Sequence, residues 1–221
     1  TLVDAERSAH LYSRISNPTQ TSGGSASNTA YGLASLGGRA GFIGKIAHDE
    51  LGKVFGDDMD KVGVGFHPGA TSATEPTGRC IIAVTPDGQR SMSTFLGAAQ
   101  LLTPEDIDGE VIKASAVTYM EGYLWDQPGA KEAFLKAAKI AHEAGRKVAF
   151  TLSDIACIKP HRAEMIAMFE AGAIDLLLQR AVEAGYRPGN LVQTRVGVMQ
   201  NVEQCHNQTV IPVVGCRDRQ R

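Results

Sequence analysis

Ser22–Gly52, which reads SGGSASNTAYGLASLGGRAGFIGKIAHDELG, restricts the fold more than any other part of the 221-residue chain. Two adjacent glycines, Gly23 and Gly24, precede small polar residues and Asn28. Ala30, Leu33, Ala34 and Leu36 then recur at three- and four-residue spacing, the mark of a helix with one apolar stripe. Gly37-Gly38 is a natural C-terminal stop. A helix that begins at Gly-Gly-Ser has N–H groups without partners in its first turn, and small side chains let a ligand's oxygens approach them. Asn28, one turn in, can both donate and accept. The geometry suits a polyhydroxyl or phosphate ligand. Spacing alone is equally compatible with a flexible loop followed by an ordinary amphipathic helix.

Around this stretch, strands and helices alternate. Asp4 is placed to cap a helix through about Ile15, and Thr1–Val3 to end a short strand. Arg39–Ile46 is expected as a strand and Asp49–Val62 as a helix with Leu51, Val54, Phe55, Met59 and Val62 inward. Such alternation predicts parallel strands with crossover helices. From Val64 to Leu102 the pattern becomes strand-like and rich in glycine, threonine and proline. There Arg79–Thr85 and Gln89–Leu96 flank the hairpin signal Pro86-Asp87-Gly88. Alternation resumes with a helix start at Thr103-Pro104-Glu105-Asp106. The strand Val117–Leu124, helix Pro128–Ala144, strand Lys147–Leu152, helix His161–Ala171 and strand Ile174–Leu178 follow.

At 221 residues one α/β domain is expected. A formal net charge of −2 gives no basic excess for nucleic acid. No apolar run approaches the length of a membrane span, and the first residues show no apolar signal region. Cys80, Cys157, Cys205 and Cys216 lie far apart, neither a disulfide framework nor a zinc site, which implies a reducing, cytoplasmic setting. Cys205-His206 lacks a second ligand pair nearby, so no metal site is expected.

The Gly23-Gly24 helix start, with Gly44-Lys45-Ile46-Ala47-His48-Asp49-Glu50-Leu51-Gly52 after the strand, resembles the N-terminal signature of the ribokinase-like (PfkB) carbohydrate kinase family. That signature runs Gly-Gly, a small residue, Asn, a helix, Gly, a strand and Gly-Lys-(Val/Ile)-(Gly/Ala)-x-Asp-x-x-Gly. Ala47, where many members carry glycine, points to the adenosine-kinase-like branch, and the resemblance continues to about Leu178. It implies a three-layer αβα sandwich with a mostly parallel sheet and a small β lid at about residues 64–102, incomplete here. It implies an ATP- and Mg2+-dependent kinase acting on a sugar hydroxyl of a nucleoside such as adenosine. Another PfkB sugar kinase, of ribokinase or fructokinase type, and a non-catalytic remnant are the alternatives. Gly23, Gly24 and Asn28 would bind the sugar. Arg90, followed by Ser91 after the hairpin turn, would approach the transferred phosphoryl group and fork onto it. A solvated hairpin arginine is the plainer reading. Tyr119, Glu121 and Tyr123 would share a strand face at the sheet's C-terminal end, where α/β sheets bind ligands, and the three would wall a base pocket or simply pack. Asp154 is either an acid/base group or a cap. The scattered histidines have no evident partners.

The family's catalytic base and anion hole come from a late Gly-Ala-Gly-Asp motif, which does not occur in this sequence. Nor do its Asn-x-x-Glu-type magnesium motif or its first strand, ending Gly-Asn-x-x-x-Asp, so the chain resembles a member shortened at both ends. From Gln179 the composition shifts. All nine lysines lie at or before Lys159, whereas Gln179–Arg221 carries six arginines and three acids. Residues 1–178 therefore form a partial kinase domain, and 179–221 an atypical tail in place of the nucleotide-binding part. If Gln179-Arg180-Ala181 is encoded CAA-CGA-GC, reading one nucleotide later gives Asn-Glu, as a shifted frame would; a diverged tail is the other explanation. The resemblance also places the missing strand centrally, so a weak fold without turnover is expected, with Leu191–Met199 able to substitute as a strand. Partners are expected to be a small nucleoside or sugar and a second copy through the lid, with no nucleic acid or membrane.

Overall fold

The computed structural model describes residues 1–69, 71–72, 74–178 and 211–215, the last segment as backbone. Its elements are α1 (Ala5–Ser13), α2 (Ser25–Ser35), β1 (Arg39–Gly44), α3 (Glu50–Lys61), β2 (Gly65–Pro68), β3 (Arg79–Val84), β4 (Arg90–Phe95), α4 (Gly109–Ala114), β5 (Val117–Glu121), α5 (Pro128–Glu143), β6 (Lys147–Thr151), α6 (Ile155–Glu170), β7 (Leu176–Leu178) and β8 (Ile211–Gly215). Six strands form one sheet in the order β2-β1-β8-β5-β6-β7, while β3 and β4 pair separately.

The sheet is covered on both faces because adjacent strand residues point to opposite sides. On β1, Phe42 packs with Ala26 and Ala30 of α2 and Phe55 and Met59 of α3. Its neighbour Ile43 joins the larger cluster built by Met120, Phe150, the alanine-rich face of α5, and Met165 and Met168 of α6. This is the expected three-layer arrangement. Ala133, Phe134, Ala137 and Ala141 are all fully buried, so the stripe that predicted α5 is the stripe that packs.

Residues of the Gly-Lys-Ile-Ala-x-Asp-x-x-Gly run bind protein. Lys45 Nζ donates to both carboxylate oxygens of Asp106 at 2.9 and 2.7 Å, and the pair is largely buried. Asp49 caps α3 by accepting from Gly52 N at 2.8 Å, and accepts Thr77 N at 2.8 Å and Thr77 Oγ1 at 2.6 Å from the stalk of the small sheet. Burial resists the charge on Asp49, but these hydrogen bonds outweigh it and hold the carboxyl below its ordinary value. Gly52 must be glycine, since a Cβ would stand 2.3 Å from the Ala47 carbonyl oxygen.

Several boundaries differ from the sequence reading. Of the stretch 64–102, β2 belongs to the main sheet, parallel to β1, and only β3 and β4 form the lid hairpin. Thr103–Asp106 makes a capping box on one 3-10 turn, and the α-helix starts later, after Asp108. Helix α6 starts at Ile155, not His161, because Asp154 accepts from Ala156 N. Pro160 lies inside the helix, in a position that reads as a breaker because proline forfeits a backbone bond. Asp154 is thus a cap. Strand β5 ends at Glu121, and Tyr123 lies on the 3-10 turn Gly122–Leu124. Three histidines do meet carboxylates: His142 with Asp175, His161 with Asp126, and His67 with Asp108.

The gap between β1 and β5 is filled by β8. It runs antiparallel to both, against parallel neighbours everywhere else in the sheet. Five β1 residues pair with it but only Val117 and Thr118 of β5 do, and Pro212 has no N–H to give. Leu191–Met199, the substitute expected from the sequence, lies outside the described residues. Ending the chain after Leu178 should leave two facing strand edges, each buried unpaired group costing about 1–3 kcal/mol. The expected outcome is a lower melting temperature and self-association, measured by calorimetry and sizing chromatography. A monodisperse melt identical to that of the full chain would contradict it.

Candidate functional site

The α2 start and the β5 end meet on one face of the sheet. Gly24 is the N-cap, with φ of 108°, a conformation natural only to glycine. It makes no side-chain cap, and the first turn of α2 contains no acid. Ser27 Oγ folds back onto the carbonyls of Gly23 and Gly24 at 2.6 and 3.0 Å. The Asn28 N–H makes the first helical bond, to Gly24 O at 2.8 Å, and its side chain is exposed. Around Gly23 there is open space.

Opposite this turn stands Glu121, 2% exposed. It accepts hydrogen bonds from Ser25 Oγ and, at 3.1 Å, from the Tyr119 hydroxyl. Burial pushes the Glu121 carboxyl up to about 7, against the pull of the Ser25 and Tyr119 hydrogen bonds. Burial, reinforced by the neighbouring Glu121, raises the Tyr119 hydroxyl well above its ordinary range. No positively charged side chain is among the described contacts of Glu121.

The structure therefore brings Gly23, Gly24 and Asn28 to the same turn and joins that turn to β5. Tyr123, half-buried, sits close enough to influence Tyr119. Arg90 is elsewhere, the exposed first residue of β4, paired across the hairpin with Val84. Sequence reasoning placed Tyr119, Glu121 and Tyr123 on one face as walls of a base pocket but did not join Glu121 to Ser25. The available signal was a carboxylate flanked by tyrosines at a strand end. Among the described residues no group of three or more His, Cys, Asp or Glu could hold a metal ion. The Gly-Ala-Gly-Asp sequence does not occur in the chain. Among the described residues, too, no helix is long and apolar enough to cross a membrane.

A three-layer sheet with a separate β hairpin and a glycine-opened helix defines a ribokinase-like fold. The sequence pattern of the pfkB family carbohydrate kinases matches residues 2–182, and the chain belongs to that family. Among solved structures, the adenosine kinase from Sinorhizobium meliloti is 48% identical with a TM-score of 0.73, covering 80% of this chain and 54% of its own. The Anopheles gambiae adenosine kinase is 26% identical with a TM-score of 0.68, covering 80% and 56%. Fructokinase-1 of Oryza sativa subsp. japonica is 30% identical over 149 residues, 64% of this chain and 45% of the rice protein. The chain thus spans about half the length of the relatives it matches.

Glu121 carries a testable pH signature. Its folded value of about 7 exceeds the ordinary 4.5, so the folded state holds the proton more tightly. Stability should therefore fall as pH rises from about 4.5 through 7, by roughly 3 kcal/mol in all. The fall in stability from pH 5 to pH 8, measured by urea unfolding, should be about 2–3 kcal/mol smaller in Glu121→Gln than in the wild type, since the other titrations are common to both.

Proposed function

We propose that this chain provides the sugar-recognition part of a kinase that transfers a phosphoryl group from ATP, with Mg2+, to a ribose hydroxyl of adenosine or a similar nucleoside. The observation that carries this reading is the apposition of the uncapped α2 turn and Glu121. N–H donors lie on one side and a carboxylate on the other, which matches neutral hydroxyls that donate and accept. A buried carboxylate beside the turn disfavours an anion there, so of the two ligand classes the turn alone would suit, the polyhydroxyl is preferred. Likeness to the Sinorhizobium meliloti adenosine kinase supports a nucleoside. A fructokinase-type substrate is the second reading, favoured by the curated relatives.

Gly23, Gly24 and Asn28 would hold the sugar, Tyr123 would stand beside the base, and Arg90 would reach the phosphoryl group from the hairpin. Residues 1–178 act as the kinase part, and 179–221 stand where the nucleotide-binding part would be. We infer binding without turnover by these 221 residues, because neither the Gly-Ala-Gly-Asp base motif nor the magnesium motif is in them. The setting is cytoplasmic, the partner a small molecule rather than nucleic acid or membrane, and the lid the surface for a homodimer.

Titration calorimetry with adenosine and with fructose, alongside ATP turnover, tests the reading. Adenosine is expected to bind without phosphorylation, and Asn28→Ala to weaken binding about two- to tenfold, the worth of one hydrogen bond. Binding of fructose alone would select the second reading, and binding of neither would leave a remnant without a ligand. In a full-length relative, Arg90→Lys should lower kcat more than it raises KM, because charge survives but the fork is lost. Unchanged turnover there would make Arg90 a surface residue.

A further inference from the structure

Helices α1, α3, α4 and α6 each begin on their own aspartate, Asp4, Asp49, Asp108 and Asp154, which accepts from the first-turn N–H groups. Helix α2 has no such cap and no acid in its first turn. Its N-cap is a glycine in a conformation with φ of 108°, so no capping side chain accepts from its first-turn N–H groups. Ser27 is spent on the carbonyls of Gly23 and Gly24. That leaves Ser25, whose hydroxyl reaches Glu121, 96 residues along the chain and on another element.

We propose that Glu121 is a positioning residue: through Ser25 it holds the first turn of α2 from across the sheet, and so sets the direction in which that turn's N–H groups face the ligand. This rests on the reading that the turn faces a sugar. Ionised Glu121 accepts from both Ser25 and Tyr119 at once. Protonated, it carries a donor hydrogen itself, so one of the two hydroxyls must turn round to accept and the hold on α2 changes. The ionisable group set against Glu121 is Tyr119 on its own strand, and Tyr119 in turn is influenced by Tyr123 on the following turn and meets Thr151 of β6. Helix α2 brings no Asp, Glu, Lys, Arg or His. The protonation state of Glu121 is thus transmitted to α2 through one hydroxyl, and the geometry of the sugar-facing amides follows the pH.

The test uses the 221-residue chain labelled at glycine and serine nitrogen and at the tyrosine ring, followed by NMR between pH 5 and pH 9. In the wild type the Gly24 and Ser25 amides should titrate with a midpoint near 7, and in Glu121→Gln they should be flat. In Ser25→Ala the Tyr119 signal should still titrate, showing that Glu121 does, while the Gly24 amide no longer follows it. Adenosine affinity should fall about two- to tenfold in Ser25→Ala, and in Glu121→Gln should lose its pH dependence between pH 6 and pH 8. A Gly24 amide that titrates in Ser25→Ala as in the wild type, or adenosine affinity equal in the two, overturns the proposal. Coupled amides in a chain that binds no adenosine would uphold the hold on α2 and sink the nucleoside reading instead.

Discussion

The described fold depends on the distance between β1 and β5. One strand between them sets that distance at two strand spacings, about 9–10 Å. Helix α2 lies over β1 and β8, and Glu121 ends β5, so the reach from Ser25 to Glu121 is fixed by what lies between. The filler here runs against its neighbours and pairs unevenly with them. The sheet itself divides the two apolar clusters, one gathered under α2 and α3, the other under α4, α5 and α6, with Phe42 and Ile43 of β1 entering different ones. Site geometry and sheet integrity are thus one problem.

The motif residues illustrate how recognition and chemistry come apart. Lys45, Asp49 and Gly52 are the residues that mark the sequence most distinctly, and each is engaged with protein. Lys45 ties the end of β1 to the turn before α4 through Asp106, and Asp49 joins the start of α3 to the stalk of the hairpin. Their contribution to any ligand is to hold the strand ends and the small sheet in fixed relation. At the α2 turn, Ser25 lies within the Gly-Gly signature, but its partner Glu121 belongs to no signature quoted from the sequence.

What could be seen in the sequence was local. The alanine stripe of α5, the Gly37-Gly38 stop of α2 and the turn at Pro86-Asp87-Gly88 are each decided within a few residues, and each appears where expected. What escaped was decided at long range. Glu121 and Ser25 are joined across 96 residues, β2 is assigned by pairing with β1, and β8 comes from a tail with no strand signal singled out there. The start of α6 escaped for the opposite reason: Pro160 lies inside the helix, where the Asp154 cap and the packing of Met165 and Met168 override a local rule.

The first residues of the chain are stitched to the hairpin. Thr1 O accepts from Thr94 N and Val3 N donates to Thr94 O, both at 2.9 Å, which ties residues 1–3 to β4 by one parallel bridge at Leu2. Arg79 on β3 then reaches α1, donating to Ser8 at 2.7 Å and lying 5.4 Å over the ring of Tyr12. The hairpin and residues 1–13 consequently form one body, joined to the sheet through the loop after α1 and the stalks beside Gly78 and Gly97. Any rotation of the hairpin carries the first helix with it. A dye on residue 1 would therefore report the hairpin's attitude towards the sheet.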